Sequence, residues 1–249
     1  MKHLLIALAV LLTGSVIADD FDAVEAKLKA ALQAEIRTEA EMERDRNRRP
    51  IDTLRFFGLR DDMRIVELLP GGGWYTKLLA PVVAENGEFY TAFGTGRVSK
   101  SLLTEEGFED MQVIATDSNM YRPEDSRLYV LETKGLGVTD VDMVLTFRNY
   151  HNFSPEGRAA MNKASFDALR SGGIYAVVDH TRRHMERDGP ENGRRIDPVM
   201  AIKEIQAAGF EFVDYATMHA RPDDELRYEV GRKTVTGNTD RWTLKFVKP

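Results

Sequence analysis

The sequence contains no cysteine. That absence excludes thiolate-ligated zinc, iron–sulfur clusters, a cysteine nucleophile, disulfide stapling and a lipidated N-terminal cysteine. Positive charge is also in short supply. Across 249 residues, 34 Lys and Arg stand against 40 Asp and Glu, for a formal net charge of −6 and a pI near 5.5. A chain that grips nucleic acid through a broad basic face has the opposite balance, so no nucleic-acid partner is expected. The longest apolar run, Leu4–Leu12, falls well short of the ~20 residues of a membrane-spanning helix. No internal repeat, low-complexity stretch or linker divides the chain. With 43% hydrophobic and 30% charged residues, it reads as one globular α/β domain with appendages.

Residues 1–18 have the layout of a cleaved secretory signal: basic Lys2, the apolar run, Thr13-Gly14-Ser15, then Val16-Ile17-Ala18 ahead of Asp19-Asp20. They predict export, to the periplasm, with no stable membrane insertion after cleavage. Residues 19–50 form a helical extension. Phe21, Val24, Leu28, Leu32 and Ile36 recur at helical spacing, and the same helix is expected to continue, now polar, through Glu39–Arg49 and to stop before Pro50. Its basic end, Arg44-Asp45-Arg46-Asn47-Arg48-Arg49, is placed near the mouth of the site, although a charge run of this kind is more often just a solvated face. Ile51–Phe57 is a short helix closed by Gly58.

A strand–helix rhythm fills residues 51–249. Met63–Leu69 and Glu88–Phe93 are apolar strands around a helix at Trp74–Ala84. Leu128–Glu132 and Val141–Phe147 read as two further buried strands, and Ile174–Val178 as the fifth. Ser154-Pro155 and Asp197-Pro198 each open a helix with a cap and a proline in the first turn. Phe210–Met218 and Trp242–Val247 are too close to host a crossover helix and are expected to pair antiparallel at one sheet edge. The pattern predicts a doubly wound α/β sheet with a hairpin end.

The informative stretch is Ile65-Val66-Glu67-Leu68-Leu69-Pro70-Gly71-Gly72-Gly73-Trp74-Tyr75-Thr76, a buried strand running through a glycine turn into a helix. Such turns let a ligand approach the backbone and expose the free N–H groups of a helix start. A phosphate-cradling P-loop needs Gly-Lys-Ser/Thr where Gly73-Trp74-Tyr75 stands. A dinucleotide fold wants glycine at Thr76 and an acid closing the next strand, which ends instead in Phe93-Gly94. Glu67, inside the first strand, suits a ligand carrying an ammonium group.

On these residues the chain resembles the class I S-adenosylmethionine-dependent methyltransferases, whose first motif reads acid-x-Gly-x-Gly-x-Gly. A finer likeness to a bacterial branch of predicted methyltransferases carrying signal peptides rests on Pro70–Thr76, Thr146-Phe147-Arg148-Asn149-Tyr150-His151-Asn152, Arg195-Ile196-Asp197-Pro198 and Thr239-Asp240-Arg241-Trp242. The resemblance implies a seven-stranded, mostly parallel sheet with an antiparallel last strand, S-adenosylmethionine as cofactor, and binding through Glu67, Gly71, Gly72, Gly73 and Tyr75. It also places an adenine contact near Glu132. Two departures stand out: Leu69 replaces the first glycine of the motif, and the acid that usually holds the ribose hydroxyls is missing.

Methyl transfer to a small-molecule acceptor needs alignment and, for some acceptors, removal of a proton. Ligands in such sheets sit at the C-terminal strand ends, where Arg148, Asn149, His151, Asn152, Asp179 and His180 cluster. His151 and His180 are the candidate bases, with Asn149 and Arg148 beside them; each histidine alone is as readily a hydrogen-bonding loop residue. His180, His184, Glu186 and Asp188 follow no established ligand spacing, and no metal is expected. The polar stretches 181–195 and 220–240 have the length of lids or substrate walls. There Arg195 either clamps an anion or pairs with the acidic loop, and Asp197 has a ready role as helix cap. The alternative to an enzyme is an exported, non-catalytic protein of the same fold that holds a small nucleoside-like ligand. The acceptor and the oligomeric state are not encoded in any recognisable pattern.

Overall fold

The computed structural model describes residues 19–249, so the signal read in residues 1–18 lies outside the described residues. The described strands are β1 (Arg64–Leu68), β2 (Glu88–Ala92), β3 (Gln112–Ile114), β4 (Asn119–Tyr121), β5 (Val130–Glu132), β6 (Val141–Phe147), β7 (Leu169–His180), β8 (Glu211–Ala216) and β9 (Arg241–Val247). The helices are α1 (Asp19–Leu32), α2 (Glu39–Met42), α3 (Asp45–Arg48), α4 (Pro50–Phe57), α5 (Thr76–Val83), α6 (Gly96–Ser101), α7 (Pro155–Ala168) and α8 (Pro198–Ala207). Seven strands form one sheet in the order β3-β2-β1-β6-β7-β9-β8. Neighbours from β3 through β7 pair in parallel, whereas β9 runs antiparallel to both β7 and β8. Among the described residues no helix is long and apolar enough to cross a membrane.

Side chains along the strands alternate between two apolar cores. Ile65, Met143, Leu145 and Phe147 face the core made with α1, α4 and α5, while Val66, Leu68 and Val144 face the one closed by α7 and α8. Each fully buried side chain of this size contributes about 1.5–3 kcal/mol, so the pattern fixes which face each helix covers. Sequence order reverses between β1, which leads out to β2, and β6, which leads the other way. The crevice between β1 and β6 is therefore the topological switch point where ligands settle in such sheets.

Two expectations are corrected. The single N-terminal helix is three helices. Arg37 is buried; its Nη1 donates to Leu32 O at 2.8 Å and to Asp45 at 3.0 Å, which folds the chain back after α1. Thr38 then starts α2 with a capping box, accepting from Glu41 N–H while Glu41 accepts from Thr38 N–H. Trp74 Nε1 donates to Glu41 O at 2.9 Å, anchoring this polar segment on the glycine turn.

The second correction concerns Leu128–Glu132, which is not a strand of the main sheet. Its residues Val130–Glu132 pair antiparallel with Asn119–Tyr121 in a separate two-stranded ribbon. The third parallel position belongs to the short, half-exposed Gln112–Ile114. Backbone bonds from Tyr129 N–H to Asn152 O and from Ser154 N–H to Tyr129 O tie the ribbon to the start of α7 instead.

Candidate functional site

A cavity of about 550 Å³ opens at the C-terminal ends of β1, β6 and β7, under the N-terminal helices. It brings together Glu67, Gly71, Gly72, Tyr75, Arg148, Asn149, His151 and His180. Gly73 and Glu132, both expected to hold the cofactor, do not line it. A Cβ on Gly73 would meet Leu102 Cδ1 at 2.8 Å and Val98 Cγ1 at 3.1 Å, so this glycine is required by close packing of α6. Glu132 sits in the outer ribbon, accepting from Asn119 Nδ2 and the Tyr121 hydroxyl.

The glycine turn is closed by Gly73 N–H donating to Pro70 O at 2.9 Å. Leu69, Gly71 and Gly73 all have positive φ (55°, 61° and 83°). For Leu69 this left-handed conformation costs about 1–2 kcal/mol, and Phe93 and Arg148 repeat it at the ends of β2 and β6. A Cβ on Gly71 would meet nothing within 4 Å, so its backbone is open to a ligand.

Glu67 lies below this turn, buried, with Oε2 accepting from Thr76 Oγ1 at 2.6 Å. Burial pushes its carboxyl up to about 7, against the opposing pull of Thr76 and Arg48. Tyr75 stacks on Phe147 with ring centroids 3.5 Å apart, Trp74 abuts Tyr75, and the Arg48 guanidinium lies 4.2 Å above the Trp74 ring. Asn149 Nδ2 donates to both Leu69 O and Phe147 O at 3.0 Å, stapling the ends of β1 and β6.

Asp179 organises the other wall. It accepts from His151 N–H at 2.8 Å and His180 N–H at 2.7 Å, and lies 2.5 Å from His151 Nδ1. A carboxylate accepting from two backbone N–H groups makes His151 Nδ1 the donor, so that in the neutral ring Nε2 is the acceptor. His180, 5.6 Å away ring to ring, pairs through Nδ1 with Thr239 Oγ1 at 2.9 Å. Burial, reinforced by His151 and Arg241, holds its imidazole well below the usual histidine range, so it stays neutral.

Arginines dominate the rim. Arg44 and Arg48 line the cavity from the N-terminal segment, Arg148 from the end of β6, and Arg194 from the loop before α8. Arg241 is buried and donates to Asn47 O at 2.8 Å. Arg195 does not line the cavity. It is buried against Asp224 at 2.9 Å and donates to Tyr228 O and Thr181 O, welding the two long loops together. Asp197 caps α8 through Val199 N–H and also accepts from His184 Nδ1. Trp74, Phe147 and Val230 line the cavity without having been singled out as site residues; the Trp–Tyr pair directly after the glycines was the available signal for the first.

No protein-family model matches the chain, and no curated protein matches its sequence. Solved structures do match. A SAM dependent methyltransferase from Aquifex aeolicus superposes with a TM-score of 0.57 at 13% identity, covering 90% of this chain and 98% of that one. The fold is that of the S-adenosylmethionine-dependent methyltransferases. Fibrillarin from Aeropyrum pernix, solved with natively bound S-adenosyl-L-methionine, matches with a TM-score of 0.50 at 18% identity over 82% of this chain and 76% of its own. The [4+2]-cyclase SpnF matches with a TM-score of 0.54 at 14% identity over 92% and 93%. A methyltransferase fold therefore does not by itself name the reaction.

The cavity's residues fit one end of S-adenosylmethionine. Gly71 offers open backbone, Glu67 a carboxyl to meet an ammonium, and the arginines a partner for a carboxylate. At the ribose end the second strand closes in Phe93-Gly94, with no acid. A Cβ on Gly94 would meet Met120 Cε at 3.3 Å and Leu69 Cδ2 at 3.5 Å, so apolar side chains cover that side of the crevice. Such a cover suits an adenine ring and offers the ribose hydroxyls nothing.

Proposed function

We propose that this protein is a methyltransferase acting on a small molecule, with the acceptor held between the glycine turn and the His151–Asp179 pair. The observation that carries the reading is that one cavity joins the open backbone at Gly71 and Glu67 to an imidazole oriented by a buried carboxylate. S-adenosylmethionine, when bound, supplies a methyl group made electrophilic by its sulfonium. The chain's own work is positional and acid–base. Gly71 and Gly72 admit the amino-acid end, Glu67 gives up its proton to face an ammonium, and Asn149 keeps the β1 and β6 ends at a fixed separation. His151 Nε2 takes the acceptor's proton, and Asp179 stabilises the imidazolium that results.

The deciding experiment is a calorimetric titration with S-adenosylmethionine and S-adenosylhomocysteine. Saturable heat from both, lost in Gly71→Val, is expected; no heat at millimolar ligand removes the donor from the account.

A second reading is a non-catalytic protein that holds a small molecule in the same cavity. The absent ribose acid and the apolar cover over Gly94 favour it. So does the leader read in residues 1–18, because export would take the protein away from the cell's own supply of donor. Turnover separates the readings: methyl transfer from bound S-adenosylmethionine to any acceptor in a small-molecule screen sinks this one, and binding without transfer supports it.

A further inference from the structure

The charges around the cavity do not balance. Arg44, Arg48 and Arg148 line it, Arg241 is buried beside them, and among the described residues none of the four forms an ion pair. Each also keeps a buried Nε without a hydrogen-bond partner. The nearby acids are committed elsewhere. Glu41 pairs with Lys77 at 2.9 Å, Asp179 is taken by His151 and two backbone N–H groups, and Glu67 is a buried carboxyl bonded to Thr76. The arginines repel one another: burial, with Arg148 the foremost of the neighbouring charges, lowers Arg48 to about 9 and Arg241 to about 10. Guanidinium groups half-buried or, for Arg241, buried without anions are costly to keep, and the fold does keep them, around the cavity at the β1, β6 and β7 ends. Their planar forks match carboxylate and phosphate oxygens. The rim also sits where Trp74 and Tyr75 stiffen Arg48 through ring contacts, so this guanidinium is pre-positioned rather than free to swing.

We propose that the small molecule held in this cavity is a multivalent oxyanion, a compound bearing two or more carboxylate or phosphate charges, gripped by Arg44, Arg48 and Arg148. This names the substrate class of the site and rests on reading the cavity as the ligand site, not on the identity of any methyl donor. A single carboxylate, such as the one on an amino-acid tail, neutralises one of the arginines and leaves the others facing each other. A dianion or trianion satisfies the set.

The test titrates the full chain calorimetrically with inorganic phosphate, malonate, acetate and neutral malonamide, at low and high salt. Phosphate or malonate is expected to bind at least about tenfold more tightly than acetate, with affinity falling as salt rises, and malonamide not at all. Preference between the two dianions tells a phosphate ester from a polycarboxylate. Arg148→Gln and, separately, Arg44→Gln are each expected to weaken the preferred dianion by about tenfold or more while retaining the wild-type melting transition. Equal affinity for malonate and malonamide, no heat from either dianion, or unchanged affinity in both folded variants overturns the proposal. Parallel titration with S-adenosylmethionine keeps the two ideas apart. Dianion binding without donor binding removes the methyltransferase reading and leaves this one standing; donor binding without dianion binding does the reverse.

Discussion

His151 and Asp179 meet twice: the histidine's ring Nδ1 and its own backbone N–H reach the two oxygens of one carboxylate, at 2.5 and 2.8 Å. The double contact fixes both the position of the residue and the tautomer of its ring. It also joins the end of β7, which carries Asp179, to the turn after β6, which carries His151.

His151→Ala is therefore expected to slow turnover by about 10²–10⁴-fold while changing ligand affinity much less. Asp179→Asn keeps the shape and loses the tautomer, and should lower the rate comparably. Steady-state and binding measurements on the same variants check this. Rates unchanged in both would strip the pair of an acid–base role.

The buried Glu67 carboxyl gives stability a pH dependence of unusual sign. Its value in the fold is about 7, up from the ordinary 4.5. The folded state thus holds this proton to higher pH than the unfolded chain does, so its contribution is full below about pH 4.5 and is lost as pH rises to about 7. The loss is on the order of 3 kcal/mol. Denaturant unfolding of wild type and Glu67→Gln across that window checks it: the wild-type curve should decline relative to the variant's, and parallel curves would contradict the burial argument.

Two neighbouring glycines should separate packing from binding. Gly73→Ala forces a Cβ to 2.8 Å from Leu102 at a φ of 83°, and should destabilise the fold by about 2 kcal/mol or more. Gly71→Val, where a Cβ would meet nothing within 4 Å, should cost about 2 kcal/mol of backbone strain at a φ of 61° with no packing clash, yet close the approach to the turn. Thermal melts alongside ligand titration distinguish them.

How far the sequence reaches depends on whether a feature is local. The glycine turn, the Ser154 and Asp197 caps and the Gly58 stop are set by residues adjacent in sequence, and all form as expected; the β8–β9 pairing also forms, across a long loop, because two apolar strands with no crossover helix between them have only an antiparallel partner at hand. The third strand fails because Gln112–Ile114 is three residues at a sheet edge with no apolar run, whereas Leu128–Glu132 has the run and uses it to pack a ribbon on α7. The N-terminal break was partly legible in Thr38-x-x-Glu41, but the fold-back rests on Arg37 burying itself against Leu32 and Asp45. At the site, residues at the strand ends were found from their own strands. Arg194 and Val230 come from long loops whose path is set by the buried Arg195–Asp224 pair, and no local pattern announces that pair.

That pair makes its own prediction. With both side chains essentially inaccessible, Asp224→Asn leaves a buried guanidinium without its counter-charge, and should destabilise the fold by about 3–5 kcal/mol. Faster proteolysis within 181–195 and 220–240 should accompany it. Wild-type stability and cleavage would show that the loops are held by other contacts.

The most direct measurement is a crystal structure of the chain soaked with S-adenosylhomocysteine. The amino-acid end of the ligand is expected over Gly71 and Gly72, its carboxylate within reach of an arginine, and Leu69 or Met120 shifted to admit the base. Density confined to solvent, with Leu69 and Met120 still packed over Gly94 at saturating ligand, would contradict that placement.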